Sequence, residues 1–289
     1  MQRIEKIAEL RAALAPARRR GETIGVVPTM GYLHEGHLAL VRRACAENDR
    51  VVVTIFVNPT QFGPGEDLDA YPRDLAGDLE RLSGYPVAYV FAPAAREMYP
   101  APMQSVVAVA PLGDILIGEQ RPGHFRGVAT VVTKLFNIVQ PDRAYFGEKD
   151  FQQLAVIRQM VADLSMPVEI VAVPTVRESD GLAMSSRNVR LSPTDRAAAA
   201  VLARALEEGA AMVRAGESEP EAVLARLKAL IAAEERAVLR SLDLRDAATL
   251  EPVSCIGGRP VVILVTASFG DVLLIDQRVA SHDETGVTT

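Results

Sequence analysis

Short apolar runs rich in β-branched residues alternate along the chain with longer stretches whose apolar residues recur every three or four positions. "IGVVPTM" (24–30) and "RVVVTIFV" (50–57) are nearly continuous, as strands buried on both faces are, and "HLALVRRACAEN" (37–48) between them has helical periodicity. The alternation returns in "GVATVVTKLFNIV" as a helix, "RAYFG" as a short strand, "QQLAVIRQMVADL" as a helix and "VEIVAVPTV" as a buried strand. This is the pattern of βαβ units in a parallel sheet, and it covers about the first 176 residues. The start, "MQRIEKIAELRAALAPARRR", puts Ile4, Ile7, Leu10 and Leu14 near helical spacing and reads as an amphipathic helix, not a secretory signal.

Past the polar loop "RESDGLAMSSRNVRLSP" the texture changes. Ala-rich helices are predicted over 194–215 and 218–238, followed by the strand candidates "SLDLRDA", "PVVILVTA" and "DVLLIDQ". Strands joined by short turns after a helical pair predict an α+β module with an antiparallel sheet, and the boundary falls near 177–190.

Composition narrows the function more than the fold. With 289 residues, 49% hydrophobic and 24% charged, the chain is an ordinary globular one, long enough for one large domain or two smaller ones. Its 31 Lys and Arg against 37 Asp and Glu give a formal charge of -6, which argues against general affinity for nucleic acid and leaves a small ligand as the expected partner. Cys45 and Cys255 form neither a disulfide framework nor a metal spacing, which fits a reducing cytoplasm, and no apolar run approaches the roughly 18–20 residues that span a bilayer.

Ligands of doubly wound sheets collect beyond the carboxyl ends of the strands, where helix N-termini offer free N–H groups. "PTMGYLHEGHL" sits at such a junction. Gly31 and Gly36 let backbone approach a bulky anion, and the i, i+3 spacing aims His34 and His37 the same way, as two donors for phosphate. The ordinary alternative is a pair of surface or capping histidines; zinc would need a third ligand, which neither His124 nor Cys45 supplies at a convincing spacing. In "FVNPTQFGPGEDLDAYPRD" the amides of Asn58 and Gln61 can fix a small polar substrate, although Asn-Pro and Pro-Gly are also plain turn chemistry. "YFGEKDFQQ" sets Gly147, Glu148, Lys149 and Asp150 at a second junction, with Lys149 as a point charge for phosphate and Asp150 as cap of the helix carrying Gln153. In "RESDGLAMSSRN" Ser185, Ser186 and Arg187 can cradle phosphate oxygens, yet a flexible linker would look much the same. Coincidence explains four such clusters poorly.

"PTMGYLHEGHL" resembles the HxGH signature of nucleotidyl transferases, and "AMSSRN" is similar to the degenerate KMSKS-type loop that accompanies it. With "FVNPTQF", "DLDAYPRD", "GHFRGVATVVTKLFNIVQPDRAYFGEKDFQQL" and "RESDGLAMSSRN" in this order, the chain resembles the pantothenate synthetase (pantoate–β-alanine ligase) family along almost its whole length. The resemblance implies an α/β fold: a Rossmann-like N-terminal domain over 1–180 with a parallel sheet, and a smaller α+β C-terminal domain over 181–289 acting as a lid, in a homodimer. It implies that ATP and (R)-pantoate give pantoyl adenylate and pyrophosphate, and that β-alanine then displaces AMP to give pantothenate. Adenylation turns a poor acyl donor into a good one without a protein nucleophile.

Carried over by motif, Met30, Gly31, Tyr32, Leu33, His34, Glu35, Gly36 and His37 surround ATP, with both histidines on its phosphates and His37 as the family's proton donor. Gly147, Glu148, Lys149, Asp150, Val176, Met184, Ser185, Ser186 and Arg187 complete the ATP site; Lys149, Ser185 and Arg187 act on phosphates and Asp150 on the ribose. Gln61 and Gln153 hold pantoate, Gln61 is shared with β-alanine, and Asn58 and Tyr71 line the pantoate pocket and its flap. Mg2+ is expected on the triphosphate, with no protein metal site. The chain departs from the family in its C-terminal part: Leu273-Leu274-Ile275-Asp276-Gln277 stands for the usual Arg-Leu-Ile-Asp-Asn, and Ser241 for a common tyrosine. A rival HxGH transferase acting on a phosphorylated acceptor should show extra basic residues where this chain has Gln61, Gln153, Asn58 and Tyr71. A non-catalytic nucleotide binder should have lost a phosphate contact, yet all are present.

Overall fold

The computed structural model describes residues 1–63, 68 and 70–282, so part of the loop quoted above, at 64–67 and 69, lies outside the described residues. The chain forms two compact units, Met1–Glu148 with Gln152–Pro174, and Lys149–Phe151 with the residues from Thr175 on. The first runs through β1 (Gln2–Ile4), α1 (Ile7–Arg19), β2 (Ile24–Thr29), α2 (Glu35–Glu47), β3 (Arg50–Ile55), α3 (Leu75–Leu82), β4 (Tyr89–Phe91), α4 (Ala95–Met98), α5 (Ile117–Gln120), α6 (His124–Val139), β5 (Arg143–Gly147), α7 (Phe151–Asp163) and β6 (Glu169–Val173).

The apolar runs make a parallel sheet in the order β1-β4-β3-β2-β5-β6. Successive residues of β2 and β3 face opposite sides, so Val26 and Val52 join one core, with Leu10 and Leu14 of α1, Phe136 of α6 and Ile157 of α7. Val27 and Val53 join the other, with Leu38 and Val41 of α2 and Leu82 of α3. Apolar layers on both faces explain why these strands read as unbroken hydrophobic runs. From β2 the chain winds one way through β3 and β4, then returns to β2's other side for β5 and β6, which makes the gap between β2 and β5 the topological switch point. The β2–β5 ladder pairs only Gly25 and Val26, with Arg143 and Ala144, so the two strands part toward their carboxyl ends.

The second unit contains α8 (Pro193–Ala199), α9 (Val201–Arg214), α10 (Pro220–Ala232), β7 (Ala237–Asp246), β8 (Val261–Phe269) and β9 (Val272–Ala280), the strands forming an antiparallel sheet in chain order. Leu202 and Leu206 of α9, Leu227 of α10 and Ile263 of β8 share its core. Gly209 permits that packing, since a Cβ there would stand 2.8 Å from side-chain carbons of both Ile263 and Leu227. The departures from the family pattern are accommodated: Ser241 lies at a register shift in β7, Leu273 faces outward on β9, and Gln277 is buried, its carbonyl taken by Arg177.

Several expectations need correction. Ile4 belongs to edge strand β1, not to the first helix, which starts at Ile7. The run 169–173 is an edge strand with residues half in water, not a buried one. The 194–215 helix is two helices meeting at Ala200, and the 218–238 helix stops at Ala232 because its last residues pass into β7.

Candidate functional site

The loop from β2 to α2 presents both histidines. His34 is the N-cap of α2 in extended backbone, and its Nδ1 accepts from Gly36 N at 3.1 Å; His37, at the third helical position, accepts from His34 N through its own Nδ1 at 3.3 Å. This is a capping box built from two imidazoles, and the capping alternative raised by the sequence is therefore correct as geometry. It also fixes the chemistry. A ring nitrogen that accepts carries no proton, so each neutral imidazole bears its hydrogen on Nε2. The rings lie 4.1 Å apart, tilted by 47°, side by side at the positive end of a 13-residue helix.

The turn before the cap has an unusual backbone. Gly31 and Tyr32 both have positive φ, +86° and 54°, and a Cβ on Gly31 would meet Ile55 and Asp78 at 3.0 Å each. Tyr32 N and Leu33 N donate to the Asp78 carboxylate on α3. Burial pushes the Asp78 carboxyl above its ordinary range, against the pull of those two hydrogen bonds. Beside this turn a cavity of about 270 Å³ opens at the ends of β3 and β4, lined among others by Met30, Gly31, Phe56, Val57, Arg73 and Asp78. Glu35 is exposed and pairs with Arg42 at 3.1 Å, so Glu35 is available to a ligand mainly through its backbone.

The amide pair lies at the end of β3, in a short 3-10 turn, Pro59–Gln61, capped by Asn58. Asn58 Nδ2 donates to Gln61 Oε1 at 3.1 Å and to Gly127 O at 3.2 Å, while its Oδ1 accepts from Tyr99 Oη at 2.7 Å and Thr60 Oγ1 at 3.0 Å. With Gln61 Oε1 engaged, the Gln61 NH2 is the end turned to other partners, and it lies 3.3 Å from Met30 Sδ. The Gln61 main-chain carbonyl accepts from His124 Nδ1 at 2.8 Å. Tyr71 is buried, edge-on to Phe62.

Gly147 ends β5 across the switch point from β2, with nothing within 4 Å of where a Cβ would be, and Glu148 opens the 3-10 turn Glu148–Asp150 that leads into α7. Gln153 is half-buried in α7, next to Gln152, whose amide is fully used in holding Leu112, Ile115 and Ile117. In the first unit, then, the loop 30–37, Asn58, Gln61 and Gly147 stand at carboxyl ends of neighbouring parallel strands.

In the second unit Lys149 stands 3.8 Å from Asp150. Met184 N bonds Val176 O at 3.0 Å, and Ser185 caps a 3-10 turn, Ser186–Arg190, by accepting from Arg187 N at 3.2 Å. Asn188 ties the loop to Glu178 and to Ala183 O, both at 3.1 Å, so this stretch is a braced loop and not a free linker. Among the described residues no group of three or more His, Cys, Asp or Glu is arranged to hold a metal ion, and none of the helices is long and apolar enough to cross a membrane. Both cysteines are free thiols.

Asp78, Tyr99, Gly127 and His124 were not singled out from the sequence as site residues. Asp78 had a signal: it falls on the stripe Leu75, Leu79, Leu82 of an amphipathic helix, where a carboxylate is out of place. Gly127 and His124 stand in the quoted "GHFRG".

A family model described as pantoate-β-alanine ligase matches residues 2–279. The pantothenate synthetase of Brucella anthropi is 57% identical over 282 residues, covering 98% of each chain, and that of Sinorhizobium medicae is 58% identical over 279 residues, covering 96% of each. Among solved structures, pantothenate synthetase from Thermus thermophilus superposes with a TM-score of 0.91 at 49% identity, over 96% of this chain and 99% of that one. Pantoate-β-alanine ligase from Francisella tularensis, solved with β,γ-ATP and β-alanine, superposes with a TM-score of 0.80 at 33% identity, over 99% of both chains.

Proposed function

The chain belongs to the pantoate–β-alanine ligase family, and from that premise we propose how its own residues carry the reaction. It is an ATP-dependent ligase that joins pantoate to β-alanine as pantothenate. The proposed route has two steps. A pantoate carboxylate oxygen attacks the α-phosphorus of ATP and pyrophosphate leaves; the β-alanine amine then attacks the adenylate carbonyl, AMP leaves with the bridging oxygen, and the amine gives up a proton.

The observation that carries this reading is the histidine capping box. With both Nδ1 atoms engaged by backbone N–H groups, His34 and His37 are set to donate through Nε2, and two aligned donors at a helix N-terminus suit the charge that grows on phosphate oxygens as pyrophosphate departs. His37 is the proton donor of the pair, and electrostatic stabilisation outweighs proton transfer. Lys149, Ser185 and Arg187 are the remaining phosphate donors. Met30, Gly31, Tyr32, Leu33, Glu35, Gly36, Gly147, Glu148, Val176, Met184 and Ser186 border the nucleotide, and Asp150 takes the ribose. Gln61, turned by Asn58 so that its NH2 donates, and Gln153 hold pantoate; Tyr71 lines that pocket.

Mg2+ would ride on the triphosphate oxygens, where it neutralises charge; the described side chains offer it no cage of their own. The smaller C-terminal domain, 181–289, acts as the lid. The enzyme works as a cytoplasmic homodimer, a reading that free thiols and the family resemblance support.

The test of the adenylate route is exchange of labelled pyrophosphate into ATP without β-alanine. Exchange that requires pantoate is expected. Exchange independent of pantoate, or none in an enzyme that still makes pantothenate, contradicts the route.

A further inference from the structure

Asp78 is a buried carboxylate, 2% exposed, whose two oxygens both accept from the turn that precedes the two histidines. Its Oδ2 accepts from Tyr32 N at 2.9 Å and its Oδ1 from Leu33 N at 2.6 Å, 46 and 45 residues away in sequence. Backbone donors in regular structure find carbonyls; these two cannot, because Gly31 and Tyr32 both sit in the left-handed region and point their successors' N–H groups away from any ladder. Leu33 is itself buried, so water does not replace the carboxylate there. A tyrosine at φ 54° is sterically disfavoured and holds only where its surroundings over-determine it. The two oxygens of Asp78 supply that determination, against the desolvation of a charge.

We propose that Asp78 is a positioning residue for the nucleotide: by fixing Tyr32 and Leu33 it sets where His34 begins α2, and hence where both imidazoles and the backbone from Met30 to Leu33 meet the triphosphate. This rests on the reading of that loop as the ATP site. Each Asp78 oxygen accepts one backbone N–H, and through those two bonds the carboxylate acts on the turn that carries the histidines.

The test is Asp78→Asn, which keeps the shape but turns one acceptor into an NH2 group facing an N–H. The expected result is a loss of about tenfold or more in kcat/KM for ATP, carried by KM for ATP, with KM for β-alanine within about twofold of wild type. Amide exchange at Tyr32 and Leu33 should quicken in a protein whose far-ultraviolet spectrum is unchanged. A variant that only melts lower, with wild-type kcat and KM for ATP per folded molecule, overturns the proposal. If Asp78→Asn does not fold, Asp78→Ser, whose hydroxyl still accepts one bond, is read by the same criteria. His37→Ala run in parallel separates the two claims. Wild-type adenylation by His37→Ala with a raised KM for ATP in Asp78→Asn removes the histidine's assigned role but keeps Asp78's; wild-type behaviour of both removes both.

Discussion

In His34 and His37 the Nδ1 atoms close the start of α2, and the proposed function gives each ring a second task, donation from Nε2 to phosphate. The two tasks separate by mutation. His34→Ala should lose the cap, about 1 kcal/mol of stability, together with activity. His34→Asn should keep wild-type melting, because an amide oxygen caps as well, and still lose adenylation. Full activity in His34→Asn would show that the ring does no more than cap. At this scale the sequence was legible where residue type and spacing set local geometry, as in the i, i+3 histidines that stand side by side at the start of α2. It was silent on Asp78, whose partners are backbone N–H groups 45 and 46 residues away, since backbone donors leave no mark on residue identity.

Among the elements, the 3-10 turn after β3 and the start of α6 act as one piece. Gly127 carries no side chain because a Cβ there would lie 2.3 Å from Thr60 O and 2.6 Å from Gln61 Cα, and its own carbonyl anchors Asn58, which in turn orients Gln61. Gly127→Ala should therefore cost roughly 1–3 kcal/mol from overpacking and raise KM for pantoate at least about tenfold while leaving KM for ATP near wild type. Steady-state kinetics with each substrate varied checks this; an unchanged KM for pantoate would mean the amide chain does not set the acceptor site. The long central strands and their helices were readable because both faces of β2 and β3 are buried and α2 and α6 keep an apolar stripe. β1 and β4, three residues each, are too short to show a period, and the joint at Ala200 lies in an alanine run with no glycine or proline to punctuate it.

For the whole molecule, two apolar cores flank the sheet of the first unit and a third fills the second, and the change in texture after residue 176 is where the sequence predicts a second module, with its boundary near 177–190. Among the described residues the second unit holds a buried ion pair between Arg177 and Asp276. Arg177 forks onto Asp276 at 2.7 and 2.9 Å, and the Asp276 side chain is 1% exposed against 21% for Arg177. Asp276→Asn should cost roughly 3 kcal/mol, the lower end for stranding one partner of a buried pair because Arg177 keeps some water. Chemical denaturation should register that loss; a change under about 0.5 kcal/mol would mean solvent replaces the carboxylate freely. The first chemical step is probed by single-turnover formation of pantoyl adenylate by His37→Ala. The expected result is a rate about a hundredfold or more below wild type in a normally folded protein; adenylate formed at the wild-type rate would contradict the account.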